Sequence, residues 1–258
     1  MNKADYKNWI PEWMVTGSVA GTCAFALAGA ALLKFTRNKV PGYLALLGAA
    51  ALGAVGSWSV FAKNRFSYTG DRKLSKQIIE GTAEYIDIPS GGVGLDVGCG
   101  SGALTIACAK RNPDANMIGI DRWGAEYSDF SKKLCEENAK AEGVDNVSFQ
   151  KGDATKLDFP DESFDAVTSN YVYHNIPFAD RQKLLKETLR VLKKGGCFAI
   201  HDLMGEARYG DMGKFVEELK KEGYEDVKLI ETAKGRFMSE KEGKLLFLSD
   251  SCLLIGKK

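Results

Sequence analysis

A glycine-rich segment carries the clearest chemical signal in this sequence. Residues 94–103, GLDVGCGSGA, place Gly98, Gly100 and Gly102 directly after a short apolar run. Glycines at this spacing allow a tight turn and let a ligand approach the backbone closely, and the helix expected after them presents its first amides to that ligand. The segment therefore predicts a nucleotide-binding loop.

Asp96 narrows the kind of ligand that this loop accepts. Gly98, Gly100 and Ala103 also satisfy the G-x-G-x-x-A pattern of dinucleotide-binding proteins. A carboxylate two residues before the first glycine would repel a pyrophosphate, whereas it would attract a ligand that carries an ammonium group and a sulfonium. We expect the second kind of ligand.

A dehydrogenase is the main alternative among nucleotide-binding enzymes. Tyr224 and Lys228 form a Y-x-x-x-K match, but they fall where a loop and a strand are predicted. Four residues along a strand span about 13 Å, so these two side chains cannot act together as they would on one helix. We therefore reject the dehydrogenase interpretation.

The loop belongs to a chain segment in which strands and helices alternate. Helix-like stretches lie around 103–111, 125–142 and 180–194. The β-like runs are 93–97, 116–120, 147–150, 164–169, 197–200, 227–230 and 252–255. This alternation predicts an α/β fold, a Rossmann-like, doubly wound and mostly parallel seven-stranded sheet. Ligands of such sheets bind at the carboxyl ends of the strands.

Five motifs, in order, resemble those of the class I S-adenosylmethionine-dependent methyltransferases, particularly the small enzymes of quinone biosynthesis. The resemblance covers roughly residues 70–258. The motifs are DVGCGSG at 96–102, IGID at 118–121, KGDA at 151–154, FDAVTSNYVYHN at 164–175 and LKKGGCF at 192–198. Five motifs at natural spacing make a chance similarity very improbable.

The resemblance implies S-adenosyl-L-methionine as the cofactor and assigns residues to it. The segment from Asp96 to Gly102 would hold the methionine part, Asp121 the ribose hydroxyls, and Asp153 the adenine amino group. A carboxylate suits a ribose because it can accept two hydrogen bonds from neighbouring hydroxyls. The cofactor set further includes Arg122, Ala154 and Asn170.

Arg122 and Trp123 depart from the small residue that the family usually has after the ribose-binding acid. Either side chain would cover the adenine, or Trp123 would pack at a helix start. The sequence leaves both interpretations open.

Methyl transfer requires mainly that two reactants be positioned and desolvated, and a base is needed only if the acceptor must lose a proton. The candidates follow the fourth and fifth strands: Asn170, Tyr171, Tyr173, His174, His201 and Asp202. His174 is the best-placed base, with Tyr171 and His201 as further catalytic candidates. The alternative is that His174 braces the following helix and that His201 is a structural histidine.

Two apolar runs precede this domain. Residues 14–33 and 43–62 each hold twenty residues without a charge, which is the length a helix needs to cross a bilayer. A signal peptide would be shorter and would lack the second run, and a soluble hairpin would show a polar stripe on each helix. We expect a membrane hairpin over 1–62, a basic connector over 63–73, and the methyltransferase domain over 74–258.

Small residues recur every four positions in both runs, which lets helix backbones approach closely in lipid. The two sets are Thr16, Ala20, Ala24 and Ala28, with Gly17 and Gly21 alongside, and Ala45, Ala49, Gly53 and Ser57.

Basic residues predict the orientation. Seven lie on the flanks of the hairpin and three in its loop, and an excess of Lys and Arg marks the cytoplasmic side. We expect a two-span protein of the cell membrane with its methyltransferase domain in the cytoplasm.

Charge and cysteine content exclude other classes. The 35 basic and 34 acidic residues give a net charge of +1, which argues against a nucleic-acid partner. The sequence has no zinc-ligand spacing, so no metal is expected, and its apolar cysteines favour a reduced compartment.

These features predict a membrane-anchored methyltransferase whose acceptor is small and lipid-soluble, such as a quinone, an isoprenoid or a phospholipid headgroup. Two alternatives remain: a membrane-tethered cofactor-binding scaffold or partner subunit with little turnover of its own, and a protein methyltransferase.

Overall fold

A computed structural model describes residues 3–124 and 130–258 of the chain. The described residues form two compact units. One is Asn8–Lys76, and the other combines the residues up to Lys7 with Gln77–Lys258. The first five residues of the helix predicted over 125–142 lie outside the described residues.

The first unit is a helical hairpin of α1 (Glu12–Phe35) and α2 (Val40–Phe66). Both predicted apolar runs are helical, and each helix extends beyond its run. Their mean hydropathies are 1.6 and 1.8, and most of each apolar stretch is exposed. By length and composition, both helices are able to cross a membrane.

Glycines bring the two helices together, but not along the full predicted pattern. A Cβ added to Gly29 would lie 2.8 Å from Leu46 Cγ and 3.0 Å from the Gly42 carbonyl oxygen, and one added to Gly56 would lie 2.8 Å from Ser18 Oγ. These glycines are therefore required for close packing.

The four-residue repeat predicted for the first helix is wrong, since Thr16, Ala20, Ala24 and Ala28 are exposed. Gly21, predicted alongside this repeat, does lie at the contact, and the contact face runs through Ser18, Gly21 and Gly29. In a run this rich in small residues, four-residue spacing occurs on several faces of the helix. Spacing alone therefore does not identify the face that packs.

The open end of the hairpin is tied by polar and aromatic contacts. The side-chain Nδ2 of Asn8 donates to the Lys63 carbonyl oxygen at 2.8 Å. The Lys63 side chain forms an ion pair with Glu12, and the ring centroids of Trp9 and Phe66 are 5.2 Å apart. Helix α2 thus continues through Lys63, which the sequence placed in the connector. The non-helical connector shortens to residues 67–73.

The second unit is built on a seven-stranded sheet, counted within the described residues. Its strands are β1 (Val93–Val97), β2 (Asn116–Asp121), β3 (Val147–Lys151), β4 (Phe164–Asn170), β5 (Leu192–Leu203), β6 (Glu225–Glu231) and β7 (Ser251–Lys257). The order is β3-β2-β1-β4-β5-β7-β6. Only β7 runs antiparallel to its neighbours β5 and β6. The predicted seven-stranded, mostly parallel sheet is confirmed.

Helices cover the sheet. They are α3 (Leu74–Ala83), α4 (Ala103–Arg111), α5 (Lys132–Ala141), α6 (Arg181–Arg190), α7 (Glu206–Tyr209), α8 (Met212–Lys221) and α9 (Glu240–Leu245). The helix predicted over 180–194 ends early because Leu192, which is fully buried, begins β5 and pairs with Phe164. The central strands are fully buried at Leu95, Val167 and Phe198, as a sheet with both faces covered requires.

The residues before the hairpin do not belong with it. The Asp5 amide donates to Asn138 Oδ1 at 2.7 Å, and Asn138 Nδ2 donates back to the Asp5 carbonyl oxygen at 3.1 Å. One side-chain amide thus satisfies both backbone groups of Asp5. Instead of a hairpin beginning at residue 1, the chain leaves the second unit after Lys7 and returns to it at Gln77.

The close contact at Gly29 leads to a test of the hairpin. Gly29→Val should separate the helices, because overpacking of this kind costs about 1–3 kcal/mol. The matched control is Gly17→Val, since a Cβ on Gly17 meets no described residue within 4 Å. The measurement is disulfide formation between Thr22→Cys and Gly53→Cys in a Cys23→Ala background, because a Cβ on Gly53 would lie 3.8 Å from Thr22 Oγ1, an ordinary contact distance. Equal yields with the two valine variants would contradict the helix contact described here.

Candidate functional site

The glycine loop follows β1, and each of its glycines meets a different demand. Gly98, Gly100 and Gly102 have φ values of 74°, 55° and 80°, a region that favours glycine. A Cβ on Gly98 would lie 2.3 Å from Val172, and one on Gly102 would lie 3.0 Å from Phe149. Both positions therefore need glycine for packing inside the protein.

Gly100 differs from these two glycines. Among the residues that the structure describes, a Cβ placed there would meet only the Phe130 ring, at 3.9 Å. The backbone at this point can be approached closely by a ligand. We call the backbone at Gly100 the crown of the loop. Gly98 and Gly102, which pack against the protein, fix the loop on either side of this crown.

Asp121, the last residue of β2, lies beside this crown. Its carboxylate accepts hydrogen bonds from the Gly100 amide at 2.9 Å and from the Trp123 amide at 2.7 Å. A carboxylate offers about four acceptor positions, so each oxygen keeps capacity for a further donor. The predicted ribose-binding acid and the predicted glycine loop are therefore in direct contact.

Trp123 adopts a left-handed backbone conformation with φ of 44°. Its indole Nε1 donates to the Gly100 carbonyl oxygen at 3.0 Å. Trp123 thus braces the crown from the β2 side, which neither of the two sequence interpretations included. Contact with adenine stays a prediction.

Asp96 lies beneath the loop instead of on its open face. It is 1% exposed, and its two oxygens accept from Thr105 Oγ1 at 2.6 Å and Thr168 Oγ1 at 3.0 Å. Burial raises the pKa of Asp96 to about 6, against the opposing effect of these hydroxyls. Both oxygens are thus engaged by protein hydroxyls, and the attraction of a ligand ammonium group stays a prediction.

The end of β3 adds Asp153 and Ala154. The Gly152 amide donates to the Asp121 carbonyl oxygen at 3.0 Å, so the two strand ends meet. Asp153 Oδ1 accepts from the Thr155 amide and hydroxyl at 2.8 and 2.7 Å. These bonds, with a smaller effect from the charge of Arg122, lower the pKa of Asp153. Ala154 packs against the apolar core.

The donor and acceptor set at these strand ends fits S-adenosylmethionine. A close backbone approach at Gly100, a carboxylate with spare acceptor capacity at Asp121 and an exposed carboxylate at Asp153 suit, in order, the methionine part, the ribose and the adenine amino group. These placements remain predictions for each residue.

The segment after β4 faces the loop from the other side. Val172 packs on Gly98, and Tyr171 has φ of 55°, a strained conformation of the kind that clusters at functional sites. A single 3₁₀ turn, Tyr173–Asn175, follows. His174, in this turn, follows two residues after Val172, which packs on Gly98 of the glycine loop.

Asp202, near the end of β5, holds this turn in place. It is fully buried. Its Oδ2 accepts from the Tyr173 amide at 2.8 Å, the His174 amide at 3.1 Å and the Tyr209 hydroxyl at 2.8 Å, while Oδ1 accepts from the Leu203 amide at 2.7 Å. Oδ1 also bonds to His174 Nδ1.

These donors keep the Asp202 carboxylate charged. Burial alone would raise the pKa of Asp202, but the hydrogen bonds from His174, Leu203 and Tyr209 hold it below its usual value. An ionised carboxylate only accepts hydrogen bonds, so Nδ1 of His174 must carry the proton. In the neutral ring, Nε2 then presents a lone pair.

That lone pair is accessible. The His174 side chain is 18% exposed, and Nε2 makes no hydrogen bond to any described residue. The Tyr171 ring lies edge-on to the imidazole at 6.0 Å between centroids. His174 therefore has the geometry of a general base that is oriented by a buried acid.

His201 has a different environment. It is fully buried, with Nδ1 2.9 Å from Asn170 Oδ1 and Nε2 2.7 Å from Thr232 Oγ1. Burial lowers the pKa of His201 to about 3, against the opposing charge of Asp202. Because both nitrogens are engaged and the ring stays neutral, this geometry favours the structural alternative for His201 over the catalytic one.

Tyr171 is a protonated phenol at physiological pH. Its hydroxyl is 2.7 Å from Ser251 Oγ, and burial raises its pKa well above the usual value. Its ring lies 4.6 Å from that of His201. Tyr171 thus joins the end of β4 to the start of β7.

The connection between Asp202 and His174 was not predicted from the sequence, where Asp202 is only a candidate next to His201. Successive residues of a strand point to opposite faces. The strand period is thus a signal that could have separated the two. Tyr209 and Asn138 carried no signal in a single sequence.

Comparison with known proteins agrees with this geometry. A family model described as "Methyltransferase domain" matches residues 88–246. The chain is 38% identical over 112 residues to a demethylmenaquinone methyltransferase of Geobacillus stearothermophilus, covering 43% of this chain and 45% of that protein. It is 39% identical over 117 residues to the protein of that name from Lactobacillus johnsonii, covering 45% of each. The chain thus spans less than half the length of these relatives.

A solved structure shares the fold. Phosphoethanolamine N-methyltransferase 2 of Haemonchus contortus, in complex with S-adenosyl-L-methionine, superposes with a TM-score of 0.50 at 18% identity. The alignment covers 77% of this chain and 55% of that chain.

The strand order and the loop after β1 define a Rossmann-like methyltransferase fold. The family match extends over more than half of the chain. The chain belongs to the methyltransferase domain family, among the class I S-adenosylmethionine-dependent methyltransferases. The cofactor that the sequence predicted is the cofactor of this class.

Asp121 provides the test of the cofactor site. Asp121→Ala should weaken binding of S-adenosylhomocysteine by about 1.5–3 kcal/mol, the usual effect of losing hydrogen bonds to a charged group, or about 10- to 150-fold in Kd. Calorimetry measures this. The control is Asp114→Ala, which removes an exposed carboxylate two residues before the other end of β2. Equal affinities for the two variants would remove Asp121 from the site.

Proposed function

We propose that the protein is a membrane-anchored methyltransferase that transfers a methyl group from S-adenosylmethionine to a small, lipid-soluble acceptor, such as a quinone, an isoprenoid or a phospholipid headgroup. The observation that carries the activity is the arrangement of His174, whose Nδ1 is held by buried Asp202 while Nε2 stays accessible beside the glycine loop. A protein that only bound the cofactor would have no need for an oriented base.

In this proposal the chain's residues divide the work. The crown at Gly100 and the Asp121 carboxylate would hold the cofactor, which would supply a methyl group activated by its positive sulfonium. His174 Nε2 would take the proton that the acceptor loses on methylation. Asp202 stabilises the imidazolium that forms. Tyr171 and His201 shape the wall of the site.

The helical hairpin is the feature that favours a lipid-soluble acceptor in this proposal. Its two helices are long and apolar enough to span a bilayer. The connector, residues 67–73, reaches at most about 25 Å when extended, so the methyltransferase unit would stay close to the membrane surface. The proposed orientation puts both flanks in the cytoplasm, with two spans in the cell membrane. The two relatives described above are named for a quinone-type compound, demethylmenaquinone.

The deciding experiment uses the full chain in lipid vesicles with isotopically labelled S-adenosylmethionine and a native membrane extract. We expect the label in a small product that partitions into organic solvent. Label in protein would instead favour a protein methyltransferase. A chain that binds cofactor by calorimetry but labels nothing would be a scaffold, and the proposal would fail.

His174 variants test the proposed base in the same assay. His174→Asn can still donate to Asp202 but cannot take a proton, so turnover should fall by about 10²–10⁴ while cofactor affinity and thermal stability stay near those of the unchanged chain. Asp202→Asn should also lower turnover, because it removes the charge that orients the ring. Retained turnover in His174→Asn would assign His174 a bracing role only.

A further inference from the structure

The exposed apolar residues of the methyltransferase unit are confined to one place. Among its described residues, three large apolar side chains are exposed: Phe178 (105%), Phe247 (73%) and Leu245 (48%). Single exposed apolar residues are ordinary and are usually scattered over a surface. Here all three lie in two segments that meet the same edge of the sheet.

Strand pairing identifies that edge. Phe178 follows the carboxyl end of β4, and Leu245 and Phe247 precede β7, whose first residue, Ser251, pairs with Leu203 at the carboxyl end of β5. The contact between Tyr171 Oη and Ser251 Oγ joins the two segments. The glycine loop and the His174 turn leave from this edge too. The apolar residues therefore lie in segments at the same end of the sheet as the candidate active site.

The Phe178 segment is held outward. Arg181 donates from Nη2 to the Ile176 carbonyl oxygen at 3.1 Å and from Nη1 to the Ala179 carbonyl oxygen at 3.0 Å, on the two sides of Phe178. Phe178 itself has φ of 57°, which is rare for a bulky residue. A strained backbone, braced on both sides, presents a fully exposed aromatic ring.

Phe247 is presented in a similar way. It has φ of 59°, and its neighbours Leu246 and Leu248 are buried at 3% and 9% exposure. The two leucines fasten the segment to the core, while Phe247 projects from it. Exposed aromatic side chains are enriched on protein surfaces that enter the headgroup region of a bilayer.

We propose that the active-site edge of the methyltransferase unit docks on the lipid bilayer through Phe178, Leu245 and Phe247, so that an acceptor passes from the lipid to His174 without entering bulk water. The inference rests on the proposed membrane anchoring. The occupant is a bilayer and not another protein because the same chain carries two span-length helices, joined to the unit by the connector at 67–73.

A fluorescent label tests the docking in the full chain. In a Cys23→Ala background, the other five cysteines are buried, so Phe178→Cys takes a polarity-sensitive label selectively. The matched control is Lys194→Cys, an exposed position at the opposite edge of the sheet. In vesicles that contain spin-labelled lipid, we expect the label at 178 to shift to shorter wavelength and to be quenched, and the label at 194 to remain unchanged. Phe247→Cys should behave as Phe178→Cys does.

A fluorescent label on the native Cys23, an exposed residue of α1, reports on the membrane anchoring separately from the docking. A quenched label at Cys23 with unquenched labels at 178 and 247 would confirm the anchor and overturn the docking. An unquenched label at Cys23 would overturn the anchoring and the docking with it. A label at 178 that shifts to shorter wavelength without being quenched by the lipid would show that this position is covered by protein, such as a second copy of the chain. That result would also overturn the inference.

Discussion

The candidate site depends on one buried charge, the carboxylate of Asp202. An isolated buried carboxylate is costly, and this one accepts hydrogen bonds from five protein groups, three backbone amides and two side chains of the segments near the ends of β4 and β5. Those hydrogen bonds can form only when the 3₁₀ turn and helix α7 are in place. The cost of burying the charge thus fixes the two segments that lie around His174.

The cofactor side is organised by a comparable constraint at the surface. Asp121 receives the amides of Gly100 and Trp123, and the Trp123 indole closes back on the Gly100 carbonyl oxygen. Packing of Val172 on Gly98 joins the two sides. A buried acid orients His174, a half-exposed acid holds the glycine loop, and the close contact at Gly98 joins the two.

Much of the fold was predictable, because apolar runs, glycine spacing and strand period are local properties of a sequence. All seven strands and the loop at Gly98–Gly102 were found in this way. The rest depends on which distant residues meet. Asp202 lies beside His201 in the chain but orients His174, and the face on which α1 packs was not determined by small-residue spacing. Asn138 binds Asp5, 133 residues away, and no single sequence reports that contact.

The most direct test of the Asp202–His174 account is the tautomer of His174 in the 15N-labelled full chain. The chain has only two histidines, so His201→Gln assigns the spectrum. The account predicts that Nδ1 of His174 carries a proton and that the neutral form of the ring has a bare Nε2. It also predicts a neutral His201 ring that does not titrate down to about pH 5, because its pKa is lowered to about 3. A proton on Nε2 of neutral His174, with Nδ1 bare, would contradict the account.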